Sequence, residues 1–311
     1  MKVIYGIGKV KRNLKNPILA VGVFDGLHLG HRYLIERAVG KAKLVEGTSV
    51  VMTFFPHPTH VLKPSICLPF LVSLRHRLKL IEELGVDVCL VVSFTEKFSN
   101  LKAVQFIEEY IINSIKPKEI FIGRNFRFGH FRQGDVRLLK DFGDIYGFKV
   151  NAISPKKSSG DIISSTRIRK LIVAGKITLA RRLLGRPVSI FGQVKKGDGR
   201  GKILGFPTAN INPLRQVIPP CGVYMAEVVI DDKTYRGMAN IGRRPSFHKG
   251  KAAINVEVHI FKFKKNIYRK EIEIKFLKKI RPEKEFASKE NLVRQLKTDE
   301  EKIKSLFKYF S

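Results

Sequence analysis

The sequence predicts two domains of different class: an open α/β sheet over residues 1–184, then a small β-barrel with a C-terminal helix over residues 185–311. Three observations carry this reading. The chain has 311 residues, close to twice the roughly 150 of an ordinary domain. Residues 1–153 alternate short β-rich runs with longer amphipathic stretches. From Pro187 the pattern becomes strand upon strand, with five or six strands in about 95 residues.

In the first part, residues 18–24 (ILAVGVF) read as a buried strand, and residues 29–44 show helical periodicity after a tight turn. A strand is predicted at 49–54, then a proline-broken loop at 56–69. Residues 73–84 place Leu74, Leu78 and Ile81 on one helical face and stop at Gly85. A strand at 86–92, a helix at 103–112, a strand at 119–123, a helix at 135–146 ended by Gly147 and a strand at 148–153 follow. Strands separated by helices of this length need crossover connections. The sheet is therefore expected to be parallel, covered on both faces and of nucleotide-binding type.

A helical stretch at 165–184 leads to the boundary near 184–187. Beyond it, strands are predicted at 188–194, 222–230, 234–241, 254–260 and 271–277. Asp231-Asp232 fits a tight turn, and Val256, Val258 and Ile260 alternate with period two. Residues 291–310 end the chain as an amphipathic helix with Leu292, Leu296, Ile303, Leu306 and Phe310 near one stripe.

Composition excludes several classes. An apolar fraction of 44%, a charged fraction of 28% and a mean hydropathy of -0.08 fit neither a disordered chain nor a membrane protein. No apolar run approaches the roughly 20 residues of a membrane helix. The first residues lack the blocks of a signal peptide. Cys67, Cys89 and Cys221 are too few and too scattered for a disulfide framework or a paired-cysteine metal site, so a reducing, cytoplasmic setting is expected. The net charge is +32, with 29 basic against 14 acidic side chains in residues 1–180 and 30 against 13 in residues 181–311. An excess spread this evenly attracts nucleic acid and phosphorylated small molecules alike, and cannot choose between them.

The choice comes from motifs. Residues 22–31 (GVFDGLHLGH) run from a strand end into a helix. Gly26 permits the turn and Gly30 a close approach of phosphate, while the helix start offers unsatisfied amides. His28 and His31, three apart, can point into one phosphate site and donate hydrogen bonds as charge develops. A metal site or two surface histidines is the competing reading. Residues 53–58 (TFFPHP) enter a stiffened loop with His57, which packing alone could also explain. Residues 123–129 (GRNFRFG) interleave aromatic and basic side chains, suited to a nucleobase or to a flat heterocycle with an anionic tail. Residues 163–169 (ISSTRIR) set hydroxyls and two arginines at a helix start, either a serine cap or a triphosphate grip.

These four blocks resemble the bifunctional riboflavin kinase/FAD synthetase family, whose amino-terminal domain is a Rossmann-like nucleotidyltransferase with a HxGH signature. The resemblance implies transfer of AMP from ATP to FMN, giving FAD and pyrophosphate. It implies that Gly22, Phe24, Gly30, Ser165, Thr166 and Arg169 bind ATP, with His28 and His31 on its phosphates, and that His57, Asn125 and Phe128 belong to the flavin side. Many members carry Asp at the position of Asn125.

The second half holds one more constellation. Residues 197–210 (GDGRGKILGFPTAN) are dense in glycine and basic residues but lack the spacing of the common phosphate loop. Thr208 and Asn210, two apart, share one face of an extended strand; a bulged hairpin is the plainer alternative. This stretch resembles the family's GxxLGFPTAN block, residues 222–224 its GVY, and residues 240–245 its NIGxxP. Residues 257–259 resemble its EVH, and Arg281, Glu283 and Phe286 its RxExxF tail. The resemblance implies a riboflavin kinase on a six-stranded barrel. Gly201, Lys202, Thr208 and Asn210 would bind ATP, with Thr208 and Asn210 on Mg²⁺. Glu257 would be the general base, expected at an inward-facing strand position. Residues 261–263 and 267–269 depart from the family, and Arg269 replaces a glycine.

The expected partners are small-molecule flavins and ATP, with Mg²⁺, no specific nucleic acid, no membrane, and at most weak self-association. Two alternatives stand beside this reading: a monofunctional FAD synthetase with a degenerate barrel, and a basic nucleic-acid-binding protein.

Overall fold

The computed structural model describes residues 1–9, 14–158, 160–197, 199–244 and 253–309. Asp198, Pro245 and Phe310, each part of a sequence motif or stripe, lie outside the described residues. The chain divides into two compact units, Met1–Phe70 with Leu74–Ser165, and Leu71–Ser73 with Thr166–Ser311.

In the first unit the elements run β1 (Lys2–Tyr5), β2 (Ile18–Val21), α1 (Leu29–Leu44), β3 (Ser49–Phe55), α2 (Pro58–Leu62), α3 (Leu74–Glu82), β4 (Val88–Ser93), α4 (Glu96–Ser99), α5 (Ala103–Phe106), β5 (Glu119–Gly123), α6 (Val136–Tyr146), β6 (Lys149–Ile153) and the small hairpin β7 (Lys157–Ser158) and β8 (Asp161–Ile162). Strands β1 to β6 form one sheet in the order β1-β4-β3-β2-β5-β6. Every pairing in it is parallel. The chain leaves β2 on one side for β3 and reaches β5 on the other. This makes a topological switch point, and the loops after β2 and β5 flank the crevice there. Strands β2 and β3 are buried nearly end to end, as a parallel sheet covered on both faces requires.

Three local readings need correction. Of the predicted face of α3, Ile81 is buried, whereas Leu74 and Leu78 are only half-buried. The helix is rotated so that His76, Arg77, Leu80 and Ile81 point inward, because Arg77 finds buried acceptors there. The single helix expected at 103–112 is α5 followed by a π-helical stretch, Ile107–Ile112. Strand β1 carries no readable pattern, since only Ile4 of its four residues is buried.

The second unit begins with α7 (Ser165–Val173, its first residue in the first unit) and α8 (Ile177–Leu184), interrupted at Gly175. Then come β9 (Val188–Lys195), α9 (Arg200–Ile203), β10 (Thr208–Ile211), β11 (Gly222–Ile230), β12 (Lys233–Arg244), β13 (Ala253–Ile260), β14 (Glu271–Arg281) and α10 (Lys289–Phe307). The six strands close into an antiparallel barrel in the order β10-β13-β12-β11-β14-β9. The turn Asp231-Asp232 has both residues at positive φ, the geometry of a two-residue hairpin turn. Helix α10 packs outside the wall, where Ile303 and Phe307 meet Val223, Met225, Met238 and Leu277.

That packing sets the direction of β13. Met238 faces α10, and His259 lies opposite it in the register of β12 and β13. His259 and Glu257 therefore face outward, while Val256, Val258 and Ile260 are buried on the lumen side. The inward-facing position expected for Glu257 is wrong. Period two separates the two faces but does not say which of them is the lumen.

Candidate active sites

At the end of β2 the chain must reverse into α1 within a few residues. Gly26 takes a positive φ of 82°, and Phe24 sits at 50°, a strained value for a side-chain-bearing residue. Phe24 is 1% exposed and meets the edge of His31 at 5.4 Å, so it packs beneath the histidine rather than facing a ligand with its ring. A Cβ at Gly22 would stand 2.8 Å from the Phe24 ring, and one at Gly30 would stand 3.3 Å from His28. Both glycines thus make room for this packing as well as for any ligand.

His28 is the N-cap of α1. Its Nδ1 accepts the His31 backbone N–H at 3.3 Å, which leaves the ring hydrogen on Nε2. The rings of His28 and His31 stack at 3.6 Å between centroids. Burial pushes His28 down to about 4 and holds His31 well below the ordinary histidine range, with the neighbouring His28 and Arg77 adding to the effect on His31. Two neutral imidazoles with N–H groups suit an incoming polyanion. Nδ1 of His31 is buried without a protein partner.

The loops bearing these residues are tied from below. The Arg77 side chain is completely buried, and its Nη1 donates to the carbonyls of Val23 at 3.0 Å and Phe54 at 3.1 Å and to Thr53 Oγ1 at 3.3 Å. Thr53 Oγ1 also donates to the Val23 carbonyl at 2.9 Å. Burial lowers the Arg77 guanidinium, and the Asp25 carboxylate opposes that shift. Sequence reading missed Arg77, since an arginine in an amphipathic helix ordinarily faces water.

The other predicted residues of this site are placed as follows. His57 caps α2, its Nδ1 accepting from Thr59 N–H at 3.2 Å. Asn125 is exposed after β5, and Phe128 is 8% exposed, packed on Phe106 and Phe126 in the core. Ser165 donates its hydroxyl hydrogen to the Asp25 carbonyl at 2.9 Å, so it braces the turn before α1. Thr166 is exposed at the start of α7, and Arg169 is buried one turn further on.

The barrel holds the second site. Asn210 and Asn240 both lie opposite Glu257 in neighbouring strands. Thr208 Oγ1 donates to Glu257 Oε2 at 3.2 Å. Asn255, which sequence reading also missed, donates from Nδ2 to Glu257 Oε1 at 2.6 Å and to Asn210 Oδ1 at 3.1 Å. Thr208, Asn210, Glu257, His259 and Arg281 line a cavity of about 400 Å³ that reaches Leu296 of α10. That volume suits one drug-sized ligand. Arg281 is held by Asp299 of α10 at 2.8 Å. Gly201 stands so close to the Phe206 carbonyl that a Cβ would collide with it, and Lys202 is exposed on α9. Arg269 takes a φ of 65°, the left-handed value that glycine tolerates best, and its N–H reaches the Val194 carbonyl.

Among the described residues no group of three or more His, Cys, Asp or Glu is arranged to hold a metal ion. Thr208, Asn210 and Glu257 together offer only hard oxygen donors, which fits Mg²⁺ arriving with a nucleotide rather than zinc. Among the described residues no helix is long and apolar enough to cross a membrane.

Comparison with known proteins covers both units. Residues 10–167 match the family described as FAD synthetase, and residues 184–307 match riboflavin kinase. A bifunctional riboflavin kinase/FMN adenylyltransferase of Buchnera aphidicola subsp. Schizaphis graminum is 40% identical over 99% of each chain. The Escherichia coli K12 protein of the same description is 36% identical over 99% of this chain and 98% of its own. A crystal structure from Streptococcus pneumoniae, described as a macrolide-efflux protein, is 32% identical with a TM-score of 0.84, covering 97% of this chain and 98% of its own.

Proposed function

Because this chain belongs to the family of bifunctional riboflavin kinases/FMN adenylyltransferases, we propose how its own residues divide two ATP-dependent reactions, riboflavin to FMN and FMN to FAD. Residues 1–184 carry the adenylyltransferase and residues 185–311 the kinase.

In the first of these domains an FMN phosphate oxygen attacks the α-phosphorus of ATP and pyrophosphate leaves. The acceptor is already anionic, so no base is required and the work is positioning and charge stabilisation. His28 and His31 donate to the ATP phosphates from a dry setting, where hydrogen bonds are stronger than in water. Gly22, Phe24 and Gly30 shape their seat, Ser165 braces the turn, and Thr166 and Arg169 grip the phosphates. His57, Asn125 and Phe128 serve the flavin side, Phe128 by supporting the loop from the core.

In the barrel, Glu257 takes the proton of the ribityl 5′-hydroxyl as that oxygen attacks the γ-phosphorus. Gly201 and Lys202 belong to the nucleotide side. Thr208 and Asn210 would hold Mg²⁺, which when bound offsets triphosphate charge. The observation that carries the kinase reading is the network of Glu257, Thr208 and Asn210 on the wall of a ligand-sized cavity. It favours two activities over an FAD synthetase with a degenerate barrel. Arg269 is not among the cavity residues, so its replacement of glycine leaves that wall untouched. The free cysteines fit a cytoplasmic location.

The test is direct. Full-length protein with riboflavin, ATP and Mg²⁺ is expected to yield FMN and then FAD by chromatography, and chelation should stop both steps. FAD from supplied FMN without any FMN from riboflavin would support the degenerate-barrel alternative.

A further inference from the structure

Asn255 stands two residues before Glu257 on β13 and so shares its face. The two hydrogens of its amide account for the bonds to Glu257 Oε1 and Asn210 Oδ1, one each. Turning the amide over would set oxygen against a carboxylate oxygen 2.6 Å away, so the network itself fixes the orientation. A single side chain therefore spans the two halves of the site, the proton acceptor on β13 and the phosphate-facing asparagine on β10. Thr208 meets the other carboxylate oxygen, and the plane of the carboxylate is defined from both ends.

We infer that Asn255 is a positioning residue of the kinase site: its amide pins Glu257 and yokes it to Asn210, so that base and phosphate-facing groups hold one mutual geometry. This rests on the reading of the barrel as the kinase with Glu257 as its base. In that step the ribityl oxygen bonds to the γ-phosphorus and its proton passes to Glu257. The bond between that phosphorus and the β–γ bridging oxygen breaks, and ADP leaves. A carboxylate that turns away lowers the fraction of bound complexes aligned for transfer. The loss then appears in turnover rather than in substrate affinity.

The test compares four full-length proteins: the parent, Asn255→Ala, Glu257→Gln and the double variant. Asn255→Ala is expected to lower kcat for riboflavin phosphorylation about 10- to 100-fold, with KM for riboflavin changed by less than about threefold. FAD formation from supplied FMN should be unchanged. Calorimetric titration with ADP and Mg²⁺ should give a Kd within about threefold of the parent. In the Glu257→Gln background the same substitution should change the residual rate by less than about threefold, because the group it positions is gone. A general weakening of the barrel would instead multiply the two losses. Should Asn255→Ala fail to fold, Asn255→Ser replaces it in the same cycle, with a smaller loss expected. Parental kcat in the Asn255 variant, or multiplied losses in the cycle, alongside an inactive Glu257→Gln, would overturn the positioning role alone. An active Glu257→Gln would overturn the reading beneath it.

Discussion

In the α/β unit the candidate site is a pair of stacked histidine rings, His28 buried and His31 half-buried, in contact with a backbone amide and an aromatic edge. In the barrel it is a group of half-buried side chains bonded to one another along an open cavity wall. One nucleophile is a phosphate that arrives charged, and the other is a hydroxyl that must lose a proton. The first needs fixed donors and little else, so the chain can afford to bury them. The second needs an acceptor that its substrate can reach, held by polar neighbours.

The largest expected effects would break this contrast outright. Glu257→Gln keeps shape and removes the carboxylate proposed as proton acceptor, so riboflavin phosphorylation should fall by roughly 10²-fold or more. FAD formation from FMN should persist. His31→Ala should do the reverse, lowering FAD formation by roughly 10²- to 10³-fold, the scale of losing a donor to developing charge. Separating flavins after starting from riboflavin or from FMN reads all four results. If either variant stopped both reactions, the two sites would be coupled.

A somewhat smaller effect concerns what holds the dry site. Arg77→Met removes the donor that joins the loop after β2 to the end of β3 and takes a buried positive charge from beside Asp25. Breaking one side of a buried charge arrangement costs about 3 kcal/mol. Urea unfolding should show that loss, with FAD formation slowed and the kinase retained. An unchanged midpoint would mean that the guanidinium does not brace these loops.

Acid tests the dryness itself. The folded chain keeps His28 unprotonated down to about 4, whereas the unfolded chain takes up that proton near the ordinary 6.5. Stability should therefore be complete above about pH 6.5 and decline as pH falls toward 4, by about 1.4 kcal/mol per unit for each such histidine. From His28 this is on the order of 3 kcal/mol, and the lowered His31 works in the same direction. Denaturant unfolding of the parent and His28→Gln between pH 7 and 4.5 isolates the contribution. Identical pH slopes for the two proteins would show the rings to be hydrated.

The smallest effect lies in the barrel. Arg269 occupies a left-handed backbone position and lies away from the cavity lining. Arg269→Gly should stabilise the protein by about 1 kcal/mol, seen as a higher urea midpoint, with the kinase rate unchanged. A lower rate would place Arg269 in substrate binding after all.

Legibility followed local pattern. The turn around His28 and His31 could be read because a strand end, two glycines and a helix start occur within ten residues. The barrel strands could be read because their apolar residues alternate. What stayed hidden depends on partners distant in the chain. Arg77 looks like a solvent-facing helix residue until Val23, Thr53 and Phe54 come beneath it. Asn255 looks like one polar residue in an alternating strand until β10 brings Asn210 beside it. The outward direction of Glu257 was settled by α10, packed on the far side of Met238, and no pattern within β13 contains that information.

Strand β1 has a consequence for synthesis of the chain. It pairs with β4, Lys2 lying beside Val88 and Tyr5 beside Val91. At about 5–20 residues per second, a ribosome needs on the order of 4–17 s between making the two strands. Through that interval the first strand has no hydrogen-bonding neighbour of its own. Closing so long a loop for four residues of pairing brings little in return, so this edge of the sheet should dock only after β3 has paired with β2. The nascent chain therefore sets the pair β2 and β3 side by side before it can finish its own beginning.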